Sequence, residues 1–130
     1  MTVPVNVLTA DVADLATIRT AVNITRAAAV PPYSTLSAEE AICGCIQVGL
    51  NGLVDRLDVP NTSTLLPLLS VVGEPGAISN VTPDATLTAR ITAVAALASC
   101  TEAELRDLAL HVGVLMLTGV ATSAYRPSFV

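Results

Sequence analysis

Two Ser/Thr-x-x-Glu tetrads constrain the fold of this sequence more than any other feature. They occupy residues 37–40 and 101–104. In this pattern the first side chain accepts a hydrogen bond from the fourth residue's backbone N–H, and the glutamate reaches back to the first N–H. Each tetrad precedes a proline-free stretch in which apolar residues recur at helical spacing. The sequence therefore predicts helices that begin at these tetrads and run to about residues 57 and 123.

Two further helices are predicted from other start and stop signals. Thr9 is a suitable N-cap for a helix over residues 10–28, which the prolines at 31 and 32 end. Thr82 is the predicted N-cap of a helix over residues 83–99, with Pro83 at its first position. A short helix is predicted over residues 64–72, followed by a loop at residues 73–76.

The two ends of the chain are predicted to be extended arms, residues 1–8 and 125–130. Val3, Val5 and Val7 alternate with polar or proline positions, as in a strand, and Pro4 excludes a central place in a sheet. The last six residues hold Tyr125 and Phe129. The predicted fold class is all-α: a single domain over residues 1–130, built as a small bundle of four main helices and one short helix.

The chain is rich in small apolar residues and poor in charged ones, which predicts a weakly charged surface. Hydrophobic residues make up 52% of the chain, aromatic residues 2% and charged residues 13%. A core of Ala and Val buries less area per residue than one of Leu and Phe, and so it stabilises less. Glycines at 44, 49 and 52 within the second helix fit a close approach by another backbone. We therefore expect the chain to bury further surface against copies of itself.

The cysteines and the single histidine are candidate metal ligands or nucleophiles, but their spacing does not favour either role. Cys43 and Cys45 point to opposite sides of a helix, and Cys100 and His111 lie in other segments. Asp107 stands four residues before His111, which predicts a hydrogen bond between them. The acidic surroundings of Cys100 do not favour a thiolate. We expect no cofactor, no metal and no enzymatic activity.

Several other classes of function are also not favoured. The net charge is −5 and the six arginines are scattered, so we expect no direct nucleic acid binding. No Gly-rich phosphate loop is present. The uncharged run at 108–125 is at the lower limit for a membrane span and is interpreted as a central buried helix. The first eight residues do not resemble a secretory signal, which predicts a virion or cytoplasmic location.

The function that this sequence predicts is that of a structural subunit. We expect a non-enzymatic chain that assembles into a homo-oligomer or shell, with a virion component (capsid, decoration or connector protein) as its setting. The candidate subunit contacts are in the two arms: Val3, Val5, Val7, Tyr125 and Phe129. The alternative is a small helical binding module or carrier for an apolar ligand, held between helices that present alanine and glycine.

Overall fold

The computed structural model describes residues 2–56 and 75–121 of the chain. In these ranges the chain forms two strands and four α-helices. The strands are β1 (Val3–Leu8) and β2 (Pro75–Val81). The helices are α1 (Val12–Ala28), α2 (Ala38–Arg56), α3 (Ala85–Ala98) and α4 (Glu102–Ala121), and a 3-10 turn (Thr9–Asp11) joins β1 to α1.

The protein is mostly helical, but it is not purely all-α, because β1 and β2 pair as a small antiparallel sheet. The register places Val3 opposite Val81 and Val7 opposite Ala77. Residues 75 and 76, which were predicted to lie in a loop, therefore belong to strand β2. Gly76 permits this pairing, since a Cβ there would lie 2.7 Å from the backbone oxygen of Val7.

Both predicted capping boxes are confirmed. Ser37 N–H donates to Glu40 Oε1 at 3.0 Å, and Glu40 N–H donates to Ser37 Oγ at 3.1 Å. Thr101 and Glu104 form the same reciprocal pair, with both distances 3.1 Å. These bonds satisfy backbone donors that a helix start otherwise leaves unpaired, and they fix where α2 and α4 begin.

The other two predicted N-caps were wrong. Thr9 opens the 3-10 turn, and α1 begins only at Val12, after Asp11, whose side chain makes no capping bond. Asp84, not Thr82, caps α3, because its Oδ1 accepts the N–H of Leu87 at 2.7 Å. The predicted short helix at 64–72 and the arm at 125–130 lie outside the described residues.

Helices α2 and α4 meet backbone to backbone at two glycines. A Cβ on Gly49 would lie 2.7 Å from the backbone nitrogen of Gly113, and a Cβ on Gly113 would lie 3.1 Å from the backbone nitrogen of Gly49. The expectation that a helical glycine admits a neighbouring backbone is confirmed at Gly49. It was wrong at Gly44, where a Cβ would meet no atom within 4 Å.

The hydrophobic core surrounds this helix pair. Its fully buried members come from α2, α3, α4 and both strands, and α1 adds Ile18 alone to the buried residues. The largest fully buried side chains are Ile46, Leu50, Ile91, Leu105, Leu108, Leu110, Val5, Val81 and Val114. The sheet therefore covers the helix pair on one side, and α1 is packed much more lightly.

We predict that Gly49→Ala and Gly113→Ala each lower the free energy of unfolding by about 3 kcal/mol, because an added methyl group must separate two helix backbones. Gly44→Ala is the matched control. It should stabilise the protein by up to about 1 kcal/mol, the helix-propensity difference between the two residues. Urea denaturation measures all three. Equal effects at positions 44 and 49 would contradict the close approach.

The capping boxes also predict a pH dependence. Hydrogen bonds from the backbone and side chain of Ser37 hold the pKa of Glu40 below its ordinary value of 4.5, and Thr101 does the same for Glu104. A lowered folded-state pKa contributes stability above the unfolded pKa, and this stability is lost as the pH falls through the folded pKa.

Thermal unfolding from pH 7 to pH 3 should therefore show a loss of stability below about pH 4.5. A Glu40→Gln, Glu104→Gln variant retains oxygen acceptors but no titrating carboxylates at these caps, so it should lose less over this range. An identical pH profile for the two proteins would refute the contribution of the caps.

Candidate functional site: an open strand edge and an apolar groove

The structure places the N-terminal candidate contacts on the inner face of the sheet. Val5 is 0% exposed and Val7 is 4% exposed, both within the core of their own chain, and Val3 packs against that core. Tyr125 and Phe129 lie outside the described residues. The five candidates are therefore not brought together in the described part, and the role of any of them in subunit contacts stays a prediction.

The outer edge of β1 is closed by α4. Asn6 N–H donates to Asp107 Oδ1 at 2.9 Å, and the Asn6 side chain donates to Asp107 Oδ2 at 3.1 Å. Backbone groups of a strand lie in the plane of the sheet, so this N–H points away from β2. Pro4, two residues earlier, has no N–H to offer on the same edge. These features leave β1 unsuited to pairing with another strand there.

The same bond fixes which backbone groups of β2 face outward. Pairs in an antiparallel ladder alternate between hydrogen-bonded and non-hydrogen-bonded. Since Asn6 turns its N–H outward, the Asn6–Ile78 and Pro4–Asn80 pairs are the non-hydrogen-bonded ones. The N–H and C=O groups of Ile78 and Asn80 therefore point to the far side of β2. The N–H of Thr82, two residues further on, points to the same side and donates to Glu39.

The outer edge of β2 is unpaired as far as residues 2–56 and 75–121 are concerned. No backbone group in these ranges bonds to Ile78 or Asn80 along that edge. The Ile78 side chain is 69% exposed, and the strand contains no charged residue. Natural edge strands are commonly protected by charge, proline or a covering element, because an open edge pairs readily with another chain.

A largely apolar groove lies beneath this edge. It has a volume of about 210 Å³ and is bounded by the inner face of the sheet, by α1 and by the start of α2. Its apolar walls include Val7, Val12, Leu15 and Ile42, and Ala77 and Ser79 of β2 form its rim. Arg19 is its one charged lining residue, and its Nε donates to the backbone oxygen of Leu36 at 3.0 Å. The groove suits one apolar side chain.

His111 is paired with a partner that the sequence analysis missed. Its Nδ1 lies 2.8 Å from Oδ2 of Asp11, whose side chain is only 4% exposed. The predicted Asp107–His111 bond was wrong, because Asp107 instead binds Asn6. The Asp11–His111 pair links the start of α1 to the middle of α4, and it gives the buried carboxylate of Asp11 a polar partner.

We predict that Asp11→Ala and His111→Ala each cost about 1–3 kcal/mol of stability, since each removes one partner of a buried polar pair. The double variant should cost less than the sum of the two single changes. Asp14→Ala is the control for the loss of a carboxylate in this region and should change stability by less than about 0.5 kcal/mol. Additive single effects, measured by urea denaturation, would contradict the pairing.

The three thiols are held in their protonated form. Burial raises the pKa of Cys45 to about 11, with a further contribution from the charge of Asp11. Burial also raises the pKa of Cys43 and of Cys100, and neighbouring carboxylates add to both effects. A thiol attacks or binds a metal as thiolate. The environments of these cysteines therefore oppose nucleophilic chemistry at neutral pH.

A second cleft, of about 480 Å³, is acidic. Glu39, Glu40 and Asp84 line it together with Cys43, Leu36 and Leu87. Each carboxylate already accepts a backbone N–H, from Thr82, Ser37 and Leu87 respectively. Within the described ranges, no group of three or more His, Cys, Asp or Glu side chains has a geometry that could hold a metal ion.

The outward face of α1 is uncharged and exposed along its whole length. Positions three and four apart share a helix face, and here they carry only small or apolar side chains: Ala13, Ala16, Thr17, Thr20, Ala21, Ile24, Ala27 and Ala28. Ile24 is 67% exposed. A shallow depression of about 360 Å³ lies over the middle of this face.

Comparison of the chain with protein-family models, with curated proteins and with solved structures finds no match. Among the helices of the described ranges, none has the length and apolar character needed to cross a membrane.

Proposed function

We propose that this chain is a non-enzymatic structural subunit that assembles into a homo-oligomer. The observation that supports this most is the packing of α1. Of its 17 residues, Ile18 alone is buried. A surface helix of a globular protein normally buries an apolar stripe of three to four residues per two turns. Helix α1 instead leaves its uncharged outward face and Ile24 in contact with water.

Other exposed apolar side chains support the same proposal. Val12 is 48% exposed on α1, and Val30 and Tyr33 follow the helix at 97% and 67%. Leu97 of α3 and Leu115 of α4 are each 53% exposed. Single exposed apolar residues are ordinary, but an uncharged helix face flanked by such residues is typical of an interface.

The charge distribution favours a second copy as the partner for α1. Two copies with a net charge of −5 repel each other, so they associate best through surfaces without carboxylates. The outward face of α1 meets this requirement, because its exposed positions carry Ala, Thr and Ile only. Close packing of two such helices needs no large side chains to interdigitate.

A virion component remains our proposal for the setting: a capsid, decoration or connector protein. It rests on the small size of the chain and on surfaces suited to self-association. Negative-stain electron microscopy of the purified protein tests it, since rings and shells are recognisable at low resolution. A uniform population of small compact particles would contradict a shell.

We predict that Ile24→Glu converts the oligomer to smaller species without lowering the thermal midpoint of the remaining fold. A charge at the centre of the α1 face opposes the same charge on the neighbouring copy, whereas the position is already solvated in the single chain. Light scattering coupled to size-exclusion chromatography gives the mass. The control is Ala103→Glu, which adds the same charge at an exposed helical position.

The mass of the unmodified chain decides the proposal itself. An unmodified chain that is monomeric at micromolar concentration would rule out assembly through any surface. Equal dissociation of both glutamate variants would show that net charge, and not the α1 face, controls association.

The alternative function is a carrier for an apolar ligand, and the groove beside β2 is the observation that bears on it. Its volume of about 210 Å³ is below the range of roughly 300–1,000 Å³ common for small-molecule pockets. Native mass spectrometry tests the alternative, because a carrier purifies with bound ligand. The dimensions of the groove fit a protein side chain better than a separate ligand.

A further inference from the structure

The open β2 edge and the groove beneath it form one continuous surface. A strand added to β2 would bind the outward groups of Ile78 and Asn80 with its backbone, and it would project alternate side chains into the groove. This combination of backbone pairing with a side-chain pocket is how sheets commonly recognise extended segments. The surface is therefore suited to a strand whose apolar side chains recur at every second position.

We propose that residues 122–130 of a neighbouring copy supply this strand, antiparallel to β2, with Phe129 in the groove. The inference rests on the proposed assembly and assigns one of its contacts. Residues 122–130 lie outside the described part of the chain, and their sequence is TSAYRPSFV. Tyr125, Pro127 and Phe129 occupy alternate positions, so in an extended conformation they share one face.

The proline fixes the phase of the pairing. Pro127 has no N–H, so an edge strand accepts it only where the backbone points away from the neighbouring strand. Arg126 and Ser128 then turn their N–H and C=O groups toward β2, where they meet Asn80 and Ile78. Pro4 of β1 likewise occupies a position without a ladder bond, in its case opposite Asn80.

The register that places Pro127 without a ladder bond also turns the side chains of Tyr125 and Phe129 toward the inner face of the sheet. In an antiparallel ladder, directly opposed residues project to the same face. Arg126 and Ser128, opposite Asn80 and Ile78, project to the outer face. Residues of the alternate phase project to the inner face, where the groove lies. With Pro127 opposite Ser79, Phe129 lies opposite Ala77, beside Val7 and Val12.

Charge complementarity favours the same donor segment. Arg126 is the only charged side chain after Asp107 in the sequence. Opposite Asn80, it lies toward the end of β2 where Glu39 accepts the N–H of Thr82. Glu39 lines the acidic cleft together with Glu40 and Asp84. The donor segment therefore brings one positive side chain and no acidic side chain to a copy whose net charge is −5.

The first experiment compares two variants with matched controls by sedimentation velocity on the full chain. Phe129→Ala should weaken association by about 30-fold, as expected for a buried aromatic anchor. Ser128→Ala is the control, because its side chain faces solvent and should leave association unchanged. Ile78→Pro removes an outward N–H and keeps the β1–β2 bonds, so it should weaken association while the single-chain fold survives. Circular dichroism verifies that fold.

The second experiment identifies the source of the strand. Copies carrying Ile78→Cys are mixed with copies carrying Ser128→Cys and are oxidised, and the unmodified chain is the control for its native thiols. A disulfide-linked pair of chains is expected only in the mixture, because each copy contributes one half of the bridge. A third sample contains a single chain that carries both substitutions. If this chain forms a disulfide within itself and no disulfide-linked pair of chains appears, exchange of the strand between copies is overturned.

The outcomes separate this inference from the proposed function. An oligomer that persists in both Phe129→Ala and Ile78→Pro overturns the strand proposal and leaves assembly through α1 standing. A monomeric unmodified chain overturns the assembly itself. Equal weakening by Phe129→Ala and Ser128→Ala also counts against the proposal, because it removes the alternation on which the register depends.

Discussion

The close contact between α2 and α4 at Gly49 and Gly113 is the constraint on which the rest of the structure depends. No side chain separates the two backbones at this crossing, since even a Cβ would overlap the opposite helix. Dispersion attraction falls steeply with distance, so a close approach compensates for small side chains. In a chain with 2% aromatic residues, close approach of backbones brings more atoms into contact than small side chains alone would. The sheet and α3 then pack around a central pair whose separation is already fixed.

The two capping boxes of this fold were predictable from the sequence, whereas the N-caps predicted at Thr9 and Thr82 were wrong and the non-local contacts were not predicted. The capping boxes could be located to the residue because their signal lies within four positions. The β2 strand was missed because its sequence, PGAISNV, carries turn residues and no clear alternation, and because its partner strand is distant in the sequence, with Leu8 opposite Pro75 and Val3 opposite Val81. The partner of His111 was missed for the same reason, because it is distant in the sequence. Spacing along a helix suggested Asp107, whereas the fold supplied Asp11, 100 residues earlier.

The candidate site was predictable only in part, for a related reason. Alternation identified β1 as extended, and Pro4 excluded it from a central position. The pairing that turns Val5 and Val7 into their own core could not be read from the strand alone, because it needs the partner strand. The groove also combines residues from four separate segments, so no local pattern marks it. What the sequence did reveal was the shortage of charge, which leaves strand β2 and the outward face of α1 without charged residues.

The asymmetry between the two sheet edges bears on the form of any assembly built by strand addition. The β1 edge is closed by Asp107 and by Pro4, so pairing is possible on the β2 side alone. A strand containing Pro127, once added, presents an edge that lacks an N–H at its centre, which blocks a further strand. In the proposed assembly each copy would supply one donor segment and one acceptor edge, and such a contact closes as a reciprocal dimer or a ring, or continues as a helix, according to the rotation between neighbours. The second contact, through the face of α1, would fix that rotation. In an assembly with both contacts, strand addition would limit the number of strands in each sheet, and the α1 contact would determine the angle between subunits.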